Sequence, residues 1–267
     1  DWPYASCLTS DGGVVVAGGS VSFAVGDNDV WVLKLDASGN RVWQKAYGGY
    51  NDDRAFAGQQ TADGGFVVAG FTKSYGAGDM DFWVLRLDAS GSLVWQRTYG
   101  GGAMDWAFGV QPTSEGGYLV VGRTDSFGLG GADAWVLKLD VAGGVTWQRT
   151  FGGGALDYAY SVRETADGSY LVGGVTGSYG AGNYDAMVLK LEPSCLLGGD
   201  CAAFTTPSVS PGSEGPTTAT TARDPLSTFS SPLSETPASS DSTATWARVC
   251  KYPTLPVPDT LMLHATK

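Results

Sequence analysis

The sequence predicts an all-β protein, a β-propeller built from four copies of one 52-residue, four-strand unit. Tryptophans in a shared Trp-Gln context recur every 52 residues, at Trp43, Trp95 and Trp147. The same period connects an aspartate that precedes an apolar run in each copy, at Asp29, Asp81, Asp133 and Asp185. A fixed period close to the usual blade length of about 40 to 50 residues is typical of propellers and related arrays.

Each copy is expected to form four strands. In residues 53–104, extended runs at 55–61 and 66–72 flank an Asp-Gly-Gly hairpin turn, and further runs follow at 82–87 and 94–99. The third run is apolar at consecutive positions, so both of its sides must be buried. Four-strand sheets that stack radially cover both faces and leave only short edges, which is the propeller arrangement.

The predicted domains follow from the period. The repeats fill residues 1–204 as blades 1–52, 53–104, 105–156 and 157–204. The fourth copy ends at Leu191-Glu192 without its Trp-Gln strand. Either a segment such as 201–206 completes that blade, or the sequence is a piece of a longer array. We expect the second, a partial array, because four blades are the lower limit of closed propellers.

The C-terminal region differs from the repeats in composition. In residues 205–247, 26 of 43 residues are Ser, Thr or Pro, which predicts a disordered, O-glycosylated stalk or linker outside the cell. Residues 248–267 are expected to be unstructured. An even number of cysteines suits an exported protein, and Cys195 with Cys201 is the preferred of the three pairings open to four cysteines.

Charge and hydropathy exclude some classes of partner. The formal net charge is −11, and an acidic surface repels phosphate, so no nucleic-acid partner is expected. No apolar stretch is long enough to span a membrane, and we expect a monomer. The single histidine, His264, lies outside the repeats, which excludes histidine-based catalysis or metal binding within them.

The first strands begin with recurring aspartates, Asp53, Asp105 and Asp157. Because first strands lie nearest a propeller's central channel, these carboxylates could form a ring that binds Ca²⁺ together with backbone carbonyls. The favoured alternative is structural, since an aspartate ahead of a strand commonly caps turn amides or pairs with a neighbouring blade.

Ligand-binding groups in a repeat protein are expected where one copy departs from the others. Arg54 stands where the other copies have Trp2, Trp106 and Tyr158, and Arg123 stands where they have Gly19, Phe71 and Val175. We predict Arg54 and Arg123 as candidate ligand-binding residues. Recurring aromatics could stack on sugars, although packing between blades is the favoured interpretation; they are Tyr75, Phe127 and Tyr179.

The pattern Asp-Ala-Ser-Gly-x-x-x-Trp at 36–43 and 88–95 resembles the repeat of quinoprotein propellers, in which the turn and the tryptophan connect neighbouring blades. In that family this repeat is structural. The chain lacks the adjacent cysteine pair found in many of those dehydrogenases, and four blades fall short of that family's eight. No bound cofactor is therefore expected, apart from the candidate Ca²⁺.

Residues 1–192, with turns such as Asp-Gly-Gly-Phe at 63–66 and runs of Trp-Val-Leu-Lys-Leu-Asp, resemble the Asp-Gly-Gly-Tyr and Trp-Val-Leu-Lys-Leu-Asp repeat arrays of secreted or surface-anchored bacterial and archaeal propeller proteins. This resemblance implies a secreted or cell-surface location. We expect a non-enzymatic extracellular scaffold that binds protein or glycan. Two alternatives stay open: a piece of a longer propeller enzyme, either hydrolase or quinoprotein, and a purely structural repeat protein.

Overall fold

The computed structural model describes residues 1–180 and 183–192. In that part of the chain it contains fifteen antiparallel β-strands and no helix. The prediction of an all-β protein is confirmed. Consequently, no helix able to cross a membrane occurs in the described ranges.

The strands follow one another along the chain and pair with their sequence neighbours. They are β1 (Trp2–Leu8), β2 (Val14–Ser20), β3 (Asp29–Leu35), β4 (Arg41–Tyr47), β5 (Asp53–Gln60), β6 (Phe66–Thr72), β7 (Asp81–Leu87), β8 (Leu93–Tyr99), β9 (Asp105–Pro112), β10 (Tyr118–Thr124), β11 (Asp133–Leu139), β12 (Val145–Phe151), β13 (Asp157–Glu164), β14 (Tyr170–Thr176) and β15 (Asp185–Leu191). They form sheet 1 (β1–β4), sheet 2 (β5–β8), sheet 3 (β9–β12) and sheet 4 (β13–β15).

The first hairpin of each copy is closed by the predicted glycine turn. In sheet 2, the Thr61 amide donates to the Gly65 carbonyl at 2.9 Å, and the Gly64 amide donates to the Thr61 carbonyl at 2.9 Å. Gly64 has a φ of 83°, a left-handed conformation that a side chain disfavours. Asp63 holds the turn from within, because its carboxylate accepts the Thr61 hydroxyl at 2.5 Å.

The third strand of the inner sheets is buried on both sides, as its sequence predicts. All seven residues of β7 are buried, and so are all seven of β11. One side of β7 packs against sheet 1 through Trp83 and Leu85, and the other packs against sheet 3 through Phe82 and Val84. Each inner sheet is therefore a layer between two others.

The apolar core lies between consecutive sheets. Within the described residues, every pair of strands from different sheets that packs extensively belongs to neighbouring copies. We call the side of a sheet that contacts the following sheet its leading face, and the opposite side its trailing face. Val15 and Val32 on the leading face of sheet 1 pack on Phe66, Trp83 and Leu87 on the trailing face of sheet 2.

The repeated tryptophan and tyrosine of the fourth strand join neighbouring sheets. The Trp43 indole N–H donates to the Ala89 carbonyl of sheet 2 at 3.1 Å, and the Tyr47 hydroxyl donates to the Gly91 carbonyl. Trp95 and Tyr99 of sheet 2 make the same two bonds to sheet 3. Buried Tyr and Trp side chains thus gain apolar contact area while their polar atoms stay hydrogen-bonded.

The fourth copy has three strands in the part of the chain that the structure describes. The proposed completing segment 201–206, the linker 205–247, the C-terminal segment 248–267 and the Cys195 with Cys201 pair all lie outside the described residues. These expectations stay predictions, as does the radial arrangement of the sheets.

Replacing Trp83 by alanine should destabilise the protein by about 3 to 5 kcal/mol, because this 2% exposed side chain fills the layer between sheets 1 and 2. Urea unfolding followed by circular dichroism measures the change. Val94→Ala is the control, since Val94 is 59% exposed in the same sheet, and its free energy of unfolding should change by less than about 0.5 kcal/mol. Equal changes for the two variants would contradict the layered core.

Candidate functional site

Eight side chains at the second and fourth positions of the four copies, all on the first strands, form a row that we call the aromatic ladder. Its members are Trp2, Tyr4, Arg54, Phe56, Trp106, Phe108, Tyr158 and Tyr160. Each strand contributes two members; in β9, for example, the ring centroids of Trp106 and Phe108 are 6.1 Å apart, although the strand register is irregular at Phe108. The strands β1, β5, β9 and β13 pack against one another in sequence, which brings the four pairs together.

Ring contacts make the ladder continuous across the sheets. The ring centroids of Tyr4 and Phe56 are 5.0 Å apart, and those of Phe56 and Phe108 are 5.8 Å apart. Phe56 also stacks on Trp106 at 6.4 Å, and Phe108 meets Tyr160 at 5.3 Å. These separations lie in the range of favourable aromatic pairs. One connected aromatic surface therefore spans the junctions of all four sheets.

A substantial part of this surface faces solvent. Trp2, Tyr4 and Tyr160 are 48%, 45% and 46% exposed, and Phe56 and Trp106 are half-buried. Scattered exposed aromatics are ordinary, whereas a contiguous exposed apolar patch commonly marks an interaction site. The ladder is consequently the strongest candidate binding surface of the described chain.

Both arginines predicted as ligand-binding residues belong to this surface. The Arg54 guanidinium lies over the Trp2 ring, 6.0 Å from its centroid. The Arg123 guanidinium lies 5.4 Å from the Trp106 centroid and 5.3 Å from that of Tyr158. The two departures from the repeat thus stack on rings of the same ladder, Arg54 at the junction of sheets 1 and 2 and Arg123 at the junction of sheets 3 and 4.

An aspartate neutralises each guanidinium. Arg54 Nε donates to Asp52 at 2.8 Å, and Arg123 Nη2 donates to both oxygens of Asp125 at 2.7 and 2.6 Å. The paired arginines supply flat cationic surface for stacking, but little net charge. The ladder is therefore suited to stacking and hydrogen bonding rather than to binding a strong anion.

Most of the ladder was not identified from the sequence. Arg54 stands out in the sequence because it departs from the repeat, yet the fourth position of each copy also carries a signal: it is aromatic in all four copies. That position is occupied by Tyr4, Phe56, Phe108 and Tyr160. Periodicity alone could have found this signal, but the contacts between copies required the structure.

The aspartates predicted to form a calcium ring are buried in hydrogen-bond networks instead. Asp53 Oδ2 accepts bonds from the Gly49 amide at 2.8 Å and from Ser74 Oγ at 2.7 Å. Asp53 Oδ1 accepts the Thr72 hydroxyl and the Lys73 amide. Asp53 therefore ties the loop that enters its own copy to the loop after β6, which supports the structural alternative.

The other two copies repeat this arrangement. Asp105 Oδ2 accepts bonds from the Gly101 amide at 2.9 Å and from Ser126 Oγ at 2.7 Å, and Asp157 has the equivalent pair. Within residues 1–180 and 183–192, no three His, Cys, Asp or Glu side chains are grouped so that they could hold a metal. The described geometry does not bring the three aspartates into one ring, and calcium binding stays a prediction.

A second aspartate, from the preceding copy, faces each of these sites. Asp81 Oδ2 accepts the Ala77 amide at 2.9 Å, whereas Asp81 Oδ1 is buried without a hydrogen-bond partner in the described chain. A Cβ added to Gly100 would lie 1.8 Å from Asp81 Oδ1 and 2.7 Å from Asp105 Oδ2. Only glycine fits between the two carboxylates.

Burial makes these carboxylates weak acids. It raises the pKa of Asp81 to about 7, with a further contribution from the negative charge of Asp105. Burial also raises the pKa of Asp105 to about 6 and that of Asp133 to about 7. The folded protein therefore binds protons more tightly at these sites than the unfolded chain does.

The protein should become more stable on acidification from about pH 8 to about pH 5, because a carboxyl whose folded-state pKa is raised stabilises the fold only while protonated. Thermal unfolding across this range measures the effect. Asp81→Asn should make the dependence shallower. A melting temperature that falls steadily towards pH 5 would contradict the assignment.

Below about pH 4 the trend should reverse, because hydrogen bonds from Thr9 and Lys34 hold the pKa of Asp11 below its usual range.

Two of the three recurring aromatics after the second strands, Tyr75 and Phe127, pack against the core as the favoured interpretation expects, whereas Tyr179 is 54% exposed. The Tyr75 hydroxyl donates to the Gly48 carbonyl of the preceding copy at 3.0 Å, and its ring lies 5.6 Å from that of Trp83. Phe127 contacts Trp135 at 5.2 Å. Tyr179 repeats the hydroxyl bond to the preceding copy.

Comparison with known proteins leaves the family open. No protein-family model matches the chain, and no curated protein matches it. Among solved structures, one of a protein of unknown function from Bacteroides caccae aligns with a TM-score of 0.43 and 12% identity. The alignment covers 72% of this chain and 57% of that protein, so this chain spans little more than half of its length.

Proposed function

We propose that the chain is a non-enzymatic extracellular scaffold of the β-propeller type, which binds glycan or protein through the aromatic ladder. The ladder is the observation that carries this proposal, because exposed and half-buried aromatic rings from all four described sheets form a continuous row on it. The propeller arrangement is supported by the way in which consecutive sheets stack.

The stacking brings the first strands next to one another while the fourth strands hold neighbouring sheets together further out in each sheet. In a propeller the first strand of each blade lines the central channel. In that arrangement the ladder faces the central channel. The channel is a concave surface, and ligands commonly bind in concave surfaces.

The chemistry of the ladder favours a ligand with flat apolar faces and hydroxyl or amide groups. Aromatic rings pack against the C–H faces of sugars or against apolar peptide side chains. The guanidinium N–H groups of Arg54 and Arg123 can donate hydrogen bonds at its rim. The net charge of −11 disfavours polyanionic ligands.

An extracellular location is supported by the Ser/Thr/Pro-rich composition of residues 205–247 and by the resemblance of the repeats to secreted arrays. A non-enzymatic role is supported by the buried aspartates Asp53, Asp105 and Asp157, which recur in the second to fourth copies and accept hydrogen bonds from loop amides.

Screening the purified chain against arrays of neutral glycans and extracellular proteins should identify a ligand. Tyr160→Ala and Trp106→Ala should each weaken that binding by roughly tenfold or more, because aromatic anchors dominate binding energy. Calorimetric titration measures the change, and circular dichroism checks the fold.

Tyr50→Ala is the matched control, since Tyr50 is 44% exposed and does not belong to the ladder. It should bind as the unmodified chain does. Absence of any ligand, or equal binding by all three variants, would contradict the proposal and favour a purely structural repeat protein. Turnover of a bound glycan would instead favour a piece of a longer propeller enzyme.

A further inference from the structure

The two outermost described sheets each present an apolar face that no neighbouring sheet covers. On the trailing face of sheet 1, five apolar side chains are only half-buried. They are Val14, Val16, Trp31, Leu33 and Leu35. The corresponding residues of sheet 2 are almost completely buried under sheet 1: Phe66 (1%), Val68 (1%), Trp83 (2%), Leu85 (1%) and Leu87 (0%). The same positions are thus core residues in sheets 2 and 3, each of which has a preceding sheet.

The leading face of sheet 4 is likewise more exposed than the leading faces of the sheets before it. Leu171 is 39% exposed and Ala186 is exposed. Their counterparts in sheet 2, Val67 and Phe82, are 0% exposed because sheet 3 covers them. Sheet 4 therefore carries an apolar surface at the positions with which a sheet covers the next one, and it has no next sheet in the described chain.

We propose that these two faces bind each other between molecules, so that sheet 4 of one chain stacks on sheet 1 of a second copy, head to tail. The binding partner, a second copy, is inferred from the contacts between sheets within one chain. At the junctions of sheets 1 with 2, 2 with 3 and 3 with 4, a leading face covers a trailing face in the same order. The intermolecular contact repeats that order.

The side chains on the two faces are complementary in kind. At the first internal junction, Val15, Ala17 and Val32 on the leading face cover the larger Trp83 and Leu85. Sheet 4 offers Leu171, Gly173 and Val188 at the positions equivalent to those three small residues, and sheet 1 offers Trp31 and Leu33 in place of the larger two. Gly173 and Val188 are thus small residues opposite larger ones, whereas Leu171 equals Leu33 in size; both faces are apolar, as a densely packed contact requires.

A contact between two different faces is heterologous, so it closes into a ring or extends into a filament, depending on the rotation between copies. This self-association differs from the monomer expected from the sequence. It also differs from the ligand-binding role of the ladder, because the ladder lies on the first strands whereas this contact uses β2, β3, β14 and β15.

Analytical ultracentrifugation of the full chain at increasing concentrations should show a dimer or larger assembly. Leu33→Glu on the trailing face and Val188→Glu on the leading face should each weaken association by roughly tenfold or more, because each places a charge in the apolar contact. A chain that remains monomeric at all concentrations would overturn the proposal.

Mixing the two variants provides the sharper test. Val188→Glu retains an intact trailing face and Leu33→Glu retains an intact leading face, so the mixture should form a one-to-one heterodimer while each variant alone stays monomeric. A mixture that stays monomeric, or a single variant that assembles as well as the unmodified chain, would contradict the head-to-tail contact.

Val42→Glu is the matched control. Val42 is 57% exposed in sheet 1, and its counterpart Val94 is 59% exposed in sheet 2 although sheets cover both of that sheet's faces. The position therefore lies outside the contact between sheets, and this variant should associate as the unmodified chain does. Weaker association of Val42→Glu would indicate a general effect of added charge and would overturn the assignment of the two faces.

Discussion

The structure depends on one constraint: the inner sheets are apolar on both faces, so a single copy cannot bury its hydrophobic surface by itself. In β7, Trp83 and Phe82 are neighbours in sequence that point to opposite sides, and each is buried against a different sheet. Burial of such side chains contributes about 1.5 to 3 kcal/mol each, so stacking of copies dominates the stability. Nearest-neighbour stacking of this kind is typical of repeat proteins.

Stacking also creates features that no single copy contains. The aromatic ladder exists only because the first strands of consecutive sheets lie side by side, and the carboxylate pair of Asp81 and Asp105 exists only where two copies meet. The candidate binding surface and the sites with raised pKa are therefore properties of the junctions. A change that separated two sheets would alter both.

The all-β class and the positions of the strands could be predicted from the sequence, because the glycine-containing turns and the apolar third strand recur with a constant period. The hydrogen bonds of Trp43 and Tyr47 to the next sheet agree with their recurrence as structural residues.

The site was harder to predict. Arg54 and Arg123 stand out in the sequence, but their stacking on Trp2, Trp106 and Tyr158 depends on which strands become neighbours. Asp53 could be identified from the sequence, but its role could not. An aspartate at the start of a strand suits a metal ligand and a turn cap equally, and only the hydrogen bonds distinguish the two.

The central claim is that side chains of consecutive copies stabilise one another directly. A double-mutant cycle between Trp43 of sheet 1 and Phe66 of sheet 2, whose ring centroids are 5.7 Å apart, tests it most directly. Urea unfolding of Trp43→Ala, Phe66→Ala and the double variant should give a favourable coupling free energy of about 0.5 to 1.5 kcal/mol. Fully additive effects of the two substitutions would contradict the account.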